Sequence, residues 1–220
     1  MAAIQETPSA RENAMAMGPY MICEDPPHYL SAVGFKDIPE MVRVLNINKD
    51  VYNGTSSFEY PYLESHAQAR VARAVANTAE KGYNTRWAMR TSPEGPLIGW
   101  IHTHSEPTIN EVHPETSRPL KVTSIGYWVS PEYTRKGYAG RSARFVTQEI
   151  LFKELDYDIV RGESYLYNTG SRKAMEGAGM VLEMEAKSVF IQKLQEERNV
   201  CCYAAHRDNS TRSVITKPRA

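Results

Sequence analysis

The sequence lacks the features that mark several large classes of protein. It has three cysteines in 220 residues, and these form neither a CxxC pair nor an even set, which argues against a disulfide scaffold and a structural zinc site. Lys plus Arg equals Asp plus Glu at 26 each, so no net charge points to nucleic acid or an anionic membrane. No run approaches the roughly 20 apolar residues that span a bilayer. We therefore expect an intracellular, cytoplasmic protein.

Periodic apolar positions are also absent from both ends of the chain. Residues 1–19 are small and polar, and residues 209–220 have neither a helical nor a strand pattern. The chain length suits one domain of ordinary size. We expect a flexible extension at 1–19, a single folded domain at 20–208 and a flexible tail at 209–220.

What is present is an alternation of helical and strand patterns. Asp37 and Pro39 are typical of a helix start, and Gly82 is placed to end a second helix. A strand pair is expected at 86–90 and 97–102, and a long strand at 122–129 leads into a helix from Ala139. A strand at 158–167, a short helix at 171–175 and two antiparallel strands at 180–190 and 199–206 follow. This order predicts an α/β fold with a sheet of mixed direction.

The most informative stretch is residues 133–140, Tyr-Thr-Arg-Lys-Gly-Tyr-Ala-Gly. A strand that feeds a basic, glycine-bearing turn and then a helix has the geometry of a phosphate site, because the first N–H groups of a helix have no intrahelical partners. Gly137 permits a positive φ or a close approach of the ligand, and Arg135, Lys136 and Arg141 add positive charge. The alternative is a solvated surface turn, since such short motifs are weak alone.

Four groups of residues, in this order along the chain, resemble a known family. They are Phe-Glu-Tyr-Pro-Tyr at 58–62, Trp-Ala-Met-Arg at 87–90 with Leu-Ile-Gly-Trp at 97–100, Ile-Gly-Tyr-Trp-Val-Ser-Pro at 125–131 leading into the glycine turn, and Asn-Thr-Gly-Ser at 168–171. Over about residues 28–208 the chain resembles the GNAT acetyltransferase superfamily, in the RimJ/RimL-type branch of ribosomal-protein N-terminal acetyltransferases. The joint order favours the ligand-binding interpretation of the turn.

The resemblance implies a GNAT fold, with a mixed, mostly antiparallel twisted sheet, a splayed central strand pair and about four flanking helices. It implies acetyl-CoA as acyl donor, with the pantetheine arm along Tyr127 and Val129. Asn168 would contact the same arm, and the hydroxyl of Ser171 would protonate the departing thiolate; alternatively, both residues cap the short helix. The cofactor diphosphate would lie over the backbone of Arg135, Lys136, Gly137, Tyr138, Ala139 and Gly140.

The sequence departs from the family where proton transfer is concerned. The carboxylate that often acts as base on the central strand is replaced by Ser124, and the frequent tyrosine acid by Met175. The base is therefore unassigned. His102 and His104 share a strand face, but no further ligand accompanies them, and we predict no metal. The candidates for the base are Glu163, Glu106, Glu111, His102, His104 and His113.

These observations predict an acetyl-CoA-dependent N-acetyltransferase. Its acceptor would be a primary amine, either a protein N-terminus or a small molecule, which attacks the thioester directly. The alternatives are an acetyl-CoA-binding module without turnover and an O-acetyltransferase. The identity of the amine acceptor is not encoded in any motif. We expect neither nucleic acid nor a membrane as partner, and either a monomer or a homodimer.

Overall fold

The computed structural model describes residues 18–104 and 111–208, which form one eight-stranded sheet in the order β1-β2-β3-β4-β5-β6-β8-β7. The expected extension and tail, apart from residues 18 and 19, lie outside the described residues, so the domain limits stay a prediction. The strands are β1 (Tyr20–Cys23), β2 (His28–Ala32), β3 (Arg86–Arg90), β4 (Gly99–Thr103), β5 (Val122–Val129), β6 (Ile159–Tyr165), β7 (Val181–Ile191) and β8 (Glu196–His206).

The helices pack in two layers, one on each face of the sheet. They are α1 (Ile38–Leu45), α2 (Asp50–Gly54), α3 (Glu64–Lys81), α4 (Tyr138–Phe145) and α5 (Thr169–Gly177). Helix α4 continues as a π-helical segment, Val146–Glu154. Apolar residues of α1, α2 and α3 pack with Trp100 and Trp128 on one face, while those of α4, the π-helical segment and α5 pack with Trp87 and Ile101 on the other. We call these the α3 face and the α4 face.

All neighbouring strands in the described sheet run antiparallel except β5 and β6. The parallel pair is joined by the crossover through α4, which is the connection that parallel strands require. The predicted α/β class with a mixed, mostly antiparallel sheet is therefore confirmed. The sequence patterns missed β1 and β2, strands of four and five residues, and therefore placed helices before the first strand pair.

Two predicted helix boundaries show where local signals succeed and fail. Helix α3 ends at Lys81, and Gly82 follows it with φ 74° in the left-handed region, as expected of a C-terminal glycine. Asp37 does precede α1, but its carboxylate does not cap that helix. It instead accepts a hydrogen bond from the N–H of Gly34 at 3.0 Å and pairs with the buried guanidinium of Arg90 at 2.8 Å. A tertiary ion pair has taken the place of the expected cap.

Candidate active site

The centre of the sheet opens where β5 and β6 part. Their parallel pairing covers Val122 to Ser124, which lie opposite Ile159 to Arg161, and ends there. Beyond that point β5 continues to Val129 and remains paired with β4 on its other side, while β6 continues to Tyr165 and remains paired with β8. The β6-facing edge of β5 after Ser124 therefore has no strand partner among the described residues. An extended ligand arm can pair with such an edge.

The glycine turn lies at the end of the splayed strand and opens α4. Arg135 and Gly137 both have positive φ, at 62° and 79°, and Gly137 is the residue immediately before the helix. None of the backbone N–H groups of residues 135–140 donates to a described residue. Successive unpaired donors in such a turn, together with the positive end of the helix dipole, fit an anionic group such as a diphosphate.

The side chains around this turn pack against its tyrosines and its backbone. Lys136 Nζ lies 5.0 Å from the ring centroid of Tyr133, and the guanidinium of Arg141 lies 5.2 Å from that of Tyr138 and donates to the carbonyl of Lys136 at 3.0 Å. Tyr138 is buried at 4% exposure, with its ring edge-on to His28. Only the backbone of Tyr138 is therefore available to a ligand, whereas Arg135 and Lys136 are exposed.

Asn168 and Ser171 meet at the start of α5, close to the other side of the opening. Asn168 Oδ1 accepts a hydrogen bond from the N–H of Ser171 at 3.1 Å, so the expected capping role is confirmed. The amide nitrogen of Asn168 faces Gly54, since a Cβ built there would lie 3.2 Å from it. The capping bond leaves that NH₂ group, a double donor, available for further contacts.

A side-chain contact that the sequence did not predict joins β5 to α5. Tyr127 Oη donates to the carbonyl oxygen of Ser171 at 2.9 Å and lies 3.1 Å from Ser171 Oγ. No local signal in the sequence indicated this partner of Tyr127. Met175, where many family members carry a tyrosine, is buried, and its sulfur would be 2.7 Å from a Cβ at Gly162.

Histidines occupy the α3 face beside the opening. His102 lies opposite Gly126 in the β4–β5 register, and its ring centroid is 5.5 Å from that of His104. Burial, followed by the charges of His104, Arg86 and Arg70, lowers the pKa of His102 to about 3. At neutral pH His102 is therefore an uncharged imidazole and a weak base. His104 is exposed, and its N–H donates to the carbonyl of Ser124 at 3.0 Å.

The remaining candidates for the base are mostly engaged elsewhere. Both carboxylate oxygens of Glu111 accept from the guanidinium of Arg161 at 2.7 Å. Glu163 pairs with Lys187 at 3.1 Å. His113 is buried, and its Nδ1 accepts from the N–H of Glu115 at 3.2 Å. Glu106 lies outside the described residues. Among the described candidates, His104 is thus the exposed one whose side chain forms no salt bridge, and the described part of the chain holds no group of three or more potential metal ligands.

A match to a sequence profile identifies the family of the chain. The sequence profile of the acetyltransferase (GNAT) domain matches residues 29–181, a span that contains both splayed strands, the glycine turn and α5. The chain belongs to the GNAT acetyltransferase family. Membership confirms the predicted family. No helix of the described part of this GNAT protein has the length and apolar character needed to cross a membrane.

Similar proteins agree with this assignment. The chain is 31% identical over 125 residues to the FsC-acetyl coenzyme A-N(2)-transacetylase of Aspergillus fumigatus, covering 56% of this chain and 50% of that protein. The chain thus spans about half the length of this curated relative. A GNAT-family acetyltransferase from Bacillus anthracis has a similar fold, with TM-score 0.62, 21% identity, and coverage of 81% and 94% of the two chains.

A second solved structure has the same fold as this GNAT protein. RimL, a ribosomal L7/L12 alpha-N-protein acetyltransferase solved in complex with coenzyme A, matches with TM-score 0.65 and 14% identity, covering 85% of this chain and 98% of that one. At that identity the likeness concerns the fold alone. The roles of the individual site residues therefore stay predictions, and they rest on the geometry described above.

Proposed function

We propose that this GNAT protein transfers the acetyl group of acetyl-CoA to a primary amine by direct attack of nitrogen on the thioester. The observation that carries this proposal is the position of the splayed edge of β5 directly before a turn whose N–H groups have no partners among the described residues. An extended arm and a diphosphate, joined as they are in CoA, require those two features in that order. The acyl donor supplies an activated thioester.

In this proposal the protein acts mainly by binding and orientation. The amides of residues 135–140 hold the diphosphate, Tyr127 and Val129 pair with the pantetheine arm, and Asn168 offers its NH₂ group to the same arm. The N–C bond forms as the C–S bond breaks. The nitrogen loses one proton to water, and the departing sulfur gains one from the Ser171 hydroxyl, which water then reprotonates. Holding the amine beside the thioester supplies much of the rate enhancement.

Nitrogen is the favoured acceptor atom. The name of the Aspergillus fumigatus relative specifies an N(2)-transacetylase, and RimL is titled an alpha-N-protein acetyltransferase. A hydroxyl acceptor needs a stronger base than a neutral amine does, whereas His102 is held uncharged with a low pKa and Glu111 is paired with Arg161. The acceptor amine, on a protein N-terminus or on a small molecule, stays a prediction. The cytoplasmic location and the monomer or homodimer state stay predictions as well.

Substitution of Ser171 tests the proposal. We expect the wild type to release CoA thiol in the presence of a suitable amine, and Ser171→Ala to lower kcat by about 10²-fold, the lower end of the range for general acid catalysis. Ser188→Ala is the matched control, because Ser188 is exposed and its hydroxyl donates to Glu197. The measurement is thiol release with a panel of amino-terminal peptides and small amines. A wild type with no amine-dependent release across that panel would refute the activity.

An acetyl-CoA-binding module without turnover is the second candidate. The observations that favour it are Ser124 in place of a carboxylate and a buried Met175 packed against Gly162 in place of a tyrosine. It predicts binding of acetyl-CoA by calorimetry with no amine-dependent thiol release. The same panel therefore separates the two functions, because only the transferase makes thiol release depend on the acceptor.

A further inference from the structure

The phenol oxygen of Tyr127 lies within hydrogen-bond distance of two atoms of Ser171. It lies 2.9 Å from the carbonyl oxygen of Ser171 and 3.1 Å from Ser171 Oγ. A phenol has a single hydrogen, and donation to the carbonyl oxygen uses it. The contact with Oγ is then a hydrogen bond in which the serine hydroxyl donates to the phenol oxygen. This arrangement fixes both the position of Ser171 Oγ and the direction of its hydrogen.

The contact crosses the opening of the sheet. Tyr127 lies on β5 beyond the last parallel pair, Ser124 with Arg161, and Ser171 lies in the first turn of α5, which follows β6. The N–H of Ser171 is held in turn by Asn168 Oδ1 at 3.1 Å. The N–H, carbonyl and hydroxyl groups of Ser171 are thus each held by a neighbouring side chain. A residue with only a capping role needs no third contact of this kind.

The phenol stays protonated over the working range of pH. Burial raises the pKa of Tyr127 to about 12, although the hydrogen bond with Ser171 acts in the opposite direction. The hydrogen that the phenol donates to the Ser171 carbonyl is therefore present at neutral pH, and that hydrogen bond engages it. The contribution of Tyr127 to the reaction is geometric.

We propose that Tyr127 is a positioning residue that places the Ser171 hydroxyl for proton donation to the departing thiolate. This inference rests on the proposed acetyltransferase function. Tyr127 itself transfers no proton. The serine hydroxyl turns from the phenol oxygen to the sulfur as the C–S bond breaks, and it returns to the phenol once water has reprotonated it. This role of the Tyr127 side chain is distinct from that of the β5 backbone. The backbone would pair with the cofactor arm irrespective of which side chain stands at position 127.

A second buried tyrosine offers a matched control on the same helix. Tyr203, at 1% exposure, donates to Glu176 at 2.9 Å and accepts from Arg172 at 3.3 Å. Both partners belong to α5, and neither is Ser171. Loss of the Tyr203 hydroxyl therefore removes a contact that anchors α5 but leaves the contacts of Ser171 in place. If the role of Tyr127 were only structural, loss of its hydroxyl should have the same effect as loss of the Tyr203 hydroxyl.

The test is a double-mutant cycle on Tyr127 and Ser171, with kcat, the KM for acetyl-CoA and the Tm measured for each variant. We expect Tyr127→Phe to lower kcat about five- to tenfold, the size of one neutral hydrogen bond, with KM within twofold of wild type. The Tyr127→Phe/Ser171→Ala enzyme should be no slower than Ser171→Ala alone, because two residues that act through one hydroxyl are not additive. Tyr203→Phe should keep the wild-type kcat even if its Tm falls.

Three outcomes would overturn the inference and leave the proposed function intact. The first is full kcat in Tyr127→Phe, and the second is multiplication of the two single effects in the double variant. Equal losses of kcat in Tyr127→Phe and Tyr203→Phe would likewise show that anchoring of α5 is the whole effect. A wild type without amine-dependent turnover would refute the proposed function, and the inference with it.

Discussion

The imidazole of His102 lies directly against the backbone of Gly126, its partner across β4 and β5. A Cβ built on Gly126 would be 2.5 Å from Cε1 and 2.9 Å from Nε2 of His102. Contacts under 3 Å cannot be tolerated without movement, and both strands are fixed by the pairing of His102 with Gly126 and of Thr103 with Ile125. The missing side chain at 126 therefore makes room for a buried imidazole beside the opening of the sheet.

Gly126→Ala should destabilise the protein by forcing this ring away. We expect a loss of about 1–3 kcal/mol in the free energy of unfolding, the usual cost of overpacking a well-packed interior. Urea unfolding followed by circular dichroism measures it. Gly177→Ala is the matched control, because nothing lies within 4 Å of a Cβ built there. Equal stability of the two variants would contradict the close packing of His102 on Gly126.

His102 should also make the protein less stable in mild acid. Its pKa is lowered from 6.5 to about 3 in the folded state, first by burial and then by the charges of His104, Arg86 and Arg70. Between those values the unfolded chain binds a proton that the folded chain does not. Stability is therefore full above about pH 6.5 and falls as the pH drops, by at most about 1.4 kcal/mol per pH unit for one such group.

The variant His102→Leu should flatten this dependence. Urea unfolding at pH 7 and pH 5 should show a smaller acid loss in His102→Leu than in the wild type. The control His104→Leu replaces the exposed neighbour and should keep the wild-type slope. His28, whose pKa burial and the charge of Arg141 lower to about 4, contributes a similar slope in every variant, so the comparison is between slopes. Identical slopes in His102→Leu and the wild type would contradict the burial of an uncharged imidazole.

The sequence predicts the fold well because its strongest signals are periodic or conformational. A strand-like run at 122–129 marked β5, and Gly82, a residue suited to a left-handed backbone, marked the end of α3. The short strands β1 and β2 were missed because runs of four and five residues carry too little periodicity to be recognised. Ser171 was singled out by the family resemblance, yet its contact with Tyr127 depends on how β5 and β6 part, which no local pattern encodes.

Asp37 illustrates the same limit in terms of energy. A capping aspartate and an aspartate that pairs with a distant arginine look alike in sequence, and only the fold shows that Arg90 lies beside it. Arg90 is 1% exposed and also donates to Ser31 Oγ at 2.7 Å and to the carbonyl of Gly95 at 2.8 Å. A cap of about 1 kcal/mol is outweighed by the need of a buried guanidinium for its counter-ion.

The Arg90–Asp37 pair should be among the most sensitive points of the structure. Asp37→Asn leaves Arg90 charged and buried without its counter-ion, and we expect a loss of about 3–5 kcal/mol in unfolding free energy. Glu94→Gln is the control, because the pair of Lys36 with Glu94 is 59% and 81% exposed and screening by solvent should leave it little effect on stability. Comparable losses in the two variants would contradict the buried character of the first pair.

Gly137 should matter to acetyl-CoA binding beyond its effect on stability. Its φ is 79°, and a Cβ built there would lie 2.8 Å from Nη1 of Arg141. Alanine at this position would therefore strain the backbone. It would also disturb the turn whose N–H groups are proposed to bind the diphosphate. Gly82 has nearly the same φ, 74°, but open space around it. Gly82→Ala should therefore share the backbone strain of about 1 kcal/mol while leaving the turn intact.

Calorimetric titration with acetyl-CoA separates the two effects. We expect Gly137→Ala to weaken binding about tenfold, the loss of roughly one charge-assisted hydrogen bond, and Gly82→Ala to bind as the wild type does. The fall in Tm should be of similar size in both variants, because the strain is shared. Equal affinities in Gly137→Ala and the wild type would show that the diphosphate is held elsewhere. Strain alone cannot weaken binding in one variant and spare the other, so a selective loss identifies residues 135–140 as the diphosphate site.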